Sequence, residues 1–163
     1  MRFWLSVFAS GLLAVGIAAP GEIQAKEHVV AKDPKIVVVE NMIDAWNTRN
    51  WQRVIDLFTE NGALHSMMLD PVVGRETIGK RIFAMGAGIE TITLHILHMG
   101  VVGDVVMVER VDDFVYKGHH GKVPVVGVIK IEGDKISEWR EYYDRASLVA
   151  AMGLTDDFHK PAN

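Results

Sequence analysis

Three residues in the second half of the chain have types and spacing suited to chemistry. Arg110 and Asp112 are two apart in a valine-rich segment, so an extended strand turns both to one face, with Val106, Val108 and Phe114. The opposite face carries Glu109 and Asp113, and alternation alone does not say which side is inward. Further on, Trp139, Glu141 and Tyr143 share one face of a second extended segment, and the aromatic pair marks that face as the inner one. If Arg110, Asp112 and Glu141 converge in a pocket, one guanidinium lies between two carboxyls. One cation keeps one carboxylate ionised, and the second then favours holding a proton. A general acid beside a general base suits the addition of water across a strained ring: the base deprotonates the water while the acid protonates the departing oxygen. Such a reaction requires no metal, nucleotide or covalent intermediate. The same three residues also fit a salt-bridge network with no catalytic role.

The motifs around these residues carry a resemblance. Glu109-Arg-Val-Asp112, Val126-Gly-Val-Ile-Lys-Ile-Glu-Gly-Asp-Lys-Ile136 and Trp139-Arg-Glu-Tyr-Tyr-Asp144, with Pro71-Val-Val-Gly-Arg75 upstream, are similar to the limonene-1,2-epoxide hydrolase family. That family lies within the cone-shaped nuclear-transport-factor-2-like (SnoaL-like) superfamily. The resemblance implies a dimeric, deep-pocketed fold and a small apolar epoxide as substrate. It further implies Asp112 as acid, Arg110 as the bridge and Glu141 as base toward water. The family has Asp where this chain has Glu141, and its water-holding Tyr and Asn correspond to Leu64 and Ser66. Leu64 cannot hydrogen-bond, and Ser66 offers a shorter hydroxyl. Leu64, Ser66, Trp139 and Tyr143 are therefore the candidate substrate- or water-binding residues. Two other functions fit the same residues: an exported binding module that catalyses nothing, and an isomerase or cyclase using Asp112 or Glu141 as proton shuttle.

Positioning such a site requires helices followed by a strand meander. Asp33 and Pro34 open a helix whose stripe is Ile36, Val39, Ile43 and Trp46. A second helix fits Trp51 to Phe58 with Asn50 as cap, Asn61-Gly62 ending it, and a third fits Gly74 to Met85. From Glu90 the period becomes extended. Strands are expected over Thr91 to Val102, Asp104 to Tyr116, Lys122 to Ile131 and Lys135 to Tyr143, separated by Gly103, Gly118-His-His-Gly121 and Gly133-Asp134. A short helix, Arg145 to Met152, closes the series. The pattern is α+β: a curved mixed sheet, cone-like, with the N-terminal helices packed on it around an apolar pocket.

The chain has 163 residues, 17 Lys+Arg against 21 Asp+Glu, and no cysteine. The missing thiol excludes disulfides, Cys-ligated metals and a cysteine nucleophile. A net charge of -4 without a basic run argues against a nucleic-acid partner. Residues 1–25 have the layout of a secretory signal peptide: Arg2, an uncharged stretch from Phe3 to Pro20, then a small polar exit. Cleavage after Ala25 would leave one domain over 26–154, a tail over 155–163, and a periplasmic or secreted protein without stable membrane insertion. His95 and His98, three apart in a strand, should face opposite ways, and His119-His120 should lie in a hairpin loop. Neither pair has an acidic partner at a recognised ligand spacing, so no metal or other cofactor is expected. His65 alternates away from Leu64 and Ser66. Met67, Met68, Met85, Met99 and Met107, with Leu64, Leu69, Ile82, Phe83, Leu97 and Val126, are candidate lining for an adaptable cavity or ordinary core.

Overall fold

The structure, a computed structural model, describes residues 32–67 and 69–155. The predicted signal segment, Met68 and the tail beyond Thr155 lie outside the described residues. Helix α1 (Pro34–Asn47) starts where the Asp33 side chain accepts from the Lys35 amide at 2.8 Å, with Pro34 at its first position. Val39, Ile43 and Trp46 are buried on its expected stripe, and Ile36 is partly so. Helix α2 (Trp51–Asp56) is capped by Asn50, whose Oδ1 accepts from the Arg53 amide at 3.0 Å.

That second helix stops two residues short of the expected Phe58. Phe58 is instead the buried first residue of strand β1 (Phe58–Ser66), and Asn61-Gly62 lie inside the strand, where its register shifts, rather than ending a helix. Strand β2 (Val72–Val73), too short for a periodic signal, pairs antiparallel with β1. Then follow α3 (Arg75–Gly86), β3 (Ile89–Val102), β4 (Val105–Tyr116), β5 (His119–Glu132), β6 (Lys135–Tyr143) and α4 (Arg145–Ala151). The six strands form one curled sheet in the order β2-β1-β6-β5-β4-β3, in which β1 runs parallel to β6 and every other pair is antiparallel.

Two histidine expectations fail for reasons of backbone geometry. Lys117 and Gly118 alone make the β4–β5 turn, both at positive φ (47° and 81°), the twist that suits a two-residue hairpin, so His119 and His120 belong to β5. Leu97 is an extra residue in the β3–β4 ladder, between Ile96 opposite Arg110 and His98 opposite Glu109. This bulge restores the phase, so His95 and His98 share the outer face rather than opposing ones.

The helices pack against the sheet over a core that includes Val39, Met42, Ile82, Val106, Val108 and Trp139. A second cluster, Phe114, Tyr116, Val123, Val125 and Met152, lies under α4. The expected α+β architecture, a curled mixed sheet with helices on it, is what the chain adopts. Among the described residues no helix is long and apolar enough to cross a membrane.

Candidate active site

Register decides which side chains meet. On β4, Arg110 stands opposite Val125 and Asp112 opposite Val123; on β6, Glu141 stands opposite Gly127 and Tyr143 opposite Val125. The parallel pairing of β1 with β6 sets Leu64 beside Trp139 and Ser66 beside Glu141. All seven expected site residues, Leu64, Ser66, Arg110, Asp112, Trp139, Glu141 and Tyr143, line one cavity. Its volume is about 130 Å³, room for a small molecule. Its apolar wall includes Ile92, Leu94, Phe114, Val125, Leu148 and Met152.

Sequence reasoning missed most of that wall. Alternation groups Phe114 with Arg110 and Asp112, and Tyr116 continues the same face. Ile92 and Leu94 enter because they stand opposite Phe114 and Asp112, and Leu148 and Met152 are one helical turn apart above them. Arg81 also reaches the cavity from α3. Of the residues proposed as adaptable lining, Leu64, Ile82 and Met85 do line it. Met67, Leu69, Phe83, Leu97, Met99, Met107 and Val126 do not. Phe83 lies on the solvent side of α3, Met107 and Val126 alternate to the outer sheet face, Leu97 sits in the bulge, and Met99 packs in the core below.

Arg110 is the centre of the polar end and is only 2% exposed. Its Nε donates to Asp112 Oδ1 at 2.7 Å and its Nη2 to Asp112 Oδ2 at 3.1 Å and to Glu141 Oε2 at 2.8 Å. The guanidinium also lies 5.6 Å from the Trp139 ring centroid. It rests on Gly127: a methyl group there would stand 3.1 Å from Nη1 and 3.2 Å from Trp139 Nε1. Tyr143 donates its phenolic proton to Ser66 Oγ at 3.0 Å. His65 points away, its ring Nε2 donating to the Leu69 carbonyl at 2.8 Å.

Burial opposes charge at all three ionisable groups. It raises the Asp112 carboxyl, against the charge and hydrogen bonds of Arg110 and a smaller pull from His95. It raises Glu141 as well, with the neighbouring Asp112 charge adding to the effect; the charge and hydrogen bond of Arg110 pull back, and so does the nearby Trp139 indole N–H. For Arg110 burial works against the cation, but the Glu141 and Asp112 charges outweigh it and hold the group firmly protonated. One fixed cation between two carboxyls whose ionisation is opposed by burial favours a proton shared by the pair over two full negative charges. Among the described residues no cluster of three His, Asp or Glu is placed to hold a metal ion.

Helices on a curled sheet, with a polar triad at the end of an apolar cavity, define a member of the nuclear-transport-factor-2-like class. Within it the chain belongs to the SnoaL-like domain family, whose pattern matches residues 39–139. Solved structures share the fold. An LEH-like epoxide hydrolase from M. tuberculosis is 18% identical with a TM-score of 0.65, over 73% of this chain and 89% of that one. A protein with a ketosteroid isomerase-like fold from Catenulispora acidiphila, in complex with trimethylamine, is 27% identical with a TM-score of 0.64, over 72% and 92%. A protein described as a SnoaL-like polyketide cyclase, from Shewanella denitrificans, is 13% identical with a TM-score of 0.67, over 75% and 98%.

Proposed function

We propose that the protein is a cofactor-independent epoxide hydrolase of the limonene-1,2-epoxide hydrolase type, exported to the periplasm or beyond and acting as a homodimer on a small apolar epoxide. The observation that carries this reading is the buried Arg110 bridging Asp112 and Glu141 at the end of an otherwise apolar cavity. Glu141 takes a proton from the attacking water, and Asp112 gives one to the epoxide oxygen as the ring C–O bond breaks. Among the three Arg110 contacts, the one to Asp112 Oδ2 is the longest, 3.1 Å, which suits that oxygen to carry the transferable proton. After the diol leaves, the proton gained by Glu141 returns to the pair's Asp112 side and the site is reset. A carboxyl that must donate in a cavity this apolar benefits from burial, which favours its neutral form.

The test is to incubate the protein with a panel of small apolar epoxides in isotopically labelled water and follow labelled diol. The expected result is diol from wild type and none from Asp112→Asn. Leu64 favours a second reading, because it presents a hydrocarbon where the family holds water: an isomerase in which substrate fills that place and Asp112 or Glu141 moves a proton between its carbons. That activity would show as solvent-hydrogen exchange into an unsaturated ketone without any diol.

A further inference from the structure

We propose that Ser66, Tyr143 and the outer oxygen of Glu141 form the site for the attacking water, with the phenol delivered from strand β6 in place of the one the family carries on β1. This rests on the hydrolytic reading above. Ser66 and Glu141 are register partners on the parallel β1–β6 pair, and Tyr143 follows Glu141 by two residues, so all three side chains enter the same corner of the cavity. The Tyr143 hydroxyl reaches Ser66 Oγ at 3.0 Å.

The corner is polarised toward a water. Glu141 Oε2 is taken by Arg110 Nη2, whereas Oε1 is buried and makes no hydrogen bond to the described residues, the Trp139 indole N–H coming near the carboxyl without closing one. Buried carboxylate oxygens in folded proteins find a donor, and a water O–H is the donor this site would present to it. Tyr143 spends its proton on Ser66, which leaves phenolic lone pairs to accept the second O–H of the same water. Burial raises the Tyr143 pKa, so the phenol stays a neutral donor to Ser66 across the working range.

The placement also fits the stereochemistry of ring opening. Asp112 and Glu141 lie on β4 and β6, either side of β5, and both hydrogen-bond the Arg110 guanidinium. An epoxide seated between the two carboxyls would have its oxygen at Asp112 and meet the water from the Glu141 side, the arrangement backside displacement demands. The water oxygen forms the new C–O bond, its proton passes to Glu141 Oε1, the ring C–O bond breaks, and the Asp112 proton completes the second hydroxyl.

The experiment measures labelled diol formation from cyclohexene oxide by the full chain and by Tyr143→Phe, Ser66→Ala, their combination, Asp112→Asn, and Tyr143→Phe with Leu64→Tyr. Tyr143→Phe should lower kcat on the order of 10- to 100-fold with KM little changed, because a misplaced nucleophile costs rate and not binding. The Tyr143→Phe/Ser66→Ala pair should be little worse than either single variant, since both act on one water. Adding Leu64→Tyr to Tyr143→Phe should recover part of the loss by returning a phenol from β1. If Asp112→Asn is inactive while Tyr143→Phe keeps kcat within about twofold, or changes only KM, this water site is wrong and the hydrolytic reading stands. Absence of diol from wild type and every variant would overturn both.

Discussion

Gly127→Ala tests whether Arg110 is positioned by contact with the strand beneath it. The added methyl would stand 3.1 Å from Arg110 Nη1, 3.1 Å from Val108 Cγ1 and 3.2 Å from Trp139 Nε1. Contacts this short are tighter than ordinary van der Waals packing, so a neighbour must give by a few tenths of an ångström. The strand cannot, because Gly127 is paired to Val108 on one side and to Glu141 on the other. Displacement therefore falls on the guanidinium and the indole, and Arg110 is held by three hydrogen bonds of 2.7, 3.1 and 2.8 Å. Overpacking by one methyl costs about 1–3 kcal/mol. Replacing a strand glycine recovers about 0.5–1 kcal/mol of chain entropy. A net loss of about 0–2.5 kcal/mol in urea unfolding is expected, the two ranges taken together. The kinetic effect should be larger, about 10- to 100-fold in diol formation, because the bridge fixes both carboxyls at once. Gly100→Ala, where a methyl meets nothing within 4 Å, is the control and should be neutral or slightly stabilising. Wild-type stability and turnover in Gly127→Ala would refute the idea that this glycine sets the position of Arg110.

Arg110→Lys should lower turnover at least about a hundredfold in the same assay, since an ammonium cannot reproduce the planar bridge to two carboxyls. The pH profile of wild-type turnover should be bell-shaped, its two limbs belonging to the Asp112–Glu141 pair jointly. Burial raises both carboxyls, so the folded state holds a proton that the unfolded chain releases near pH 4; that stabilisation is full below this range and is lost as pH rises through the raised native values. Glu141→Gln cannot ionise at that position, so its urea midpoint should fall less than that of wild type between about pH 4 and 8, and equal slopes would contradict the assignment. The outer sheet face exposes Met107 and Tyr142, so light scattering should find a dimer that Met107→Glu shifts toward monomer. Intact mass of protein recovered from a bacterial periplasm should correspond to a chain beginning at Lys26.

Local rules carried the fold where local forces decide it. The Asp33 and Asn50 caps, the α1 stripe and the strand meander from Glu90 onward are short-range signals, and each element stands within a few residues of its expected bounds. The errors lie where a distant partner overrides the local signal. Asn61-Gly62 reads as a helix stop, yet β1 passes through it because the Phe58 side chain is buried and the Ile136 amide donates to the Leu57 carbonyl at 2.8 Å. The bulge at Leu97 leaves no mark in composition, but it changes the face on which His98 stands, next to Glu109 at 2.7 Å.

The site divides along the same line. Arg110 with Asp112, and Trp139 with Glu141 and Tyr143, were legible because period-two alternation is a property of one strand. What alternation cannot supply is the offset between strands, and that offset decides the chemistry. Ser66 and Tyr143 are 77 positions apart in sequence, and they meet only because β1 lies parallel to β6 with Ser66 beside Glu141. A motif read along one strand therefore registers Leu64 as a lost phenol. In the folded sheet the neighbouring strand brings another phenol, Tyr143, into the same cavity beside Ser66, so the side chain that reaches a given corner need not come from the strand the motif names.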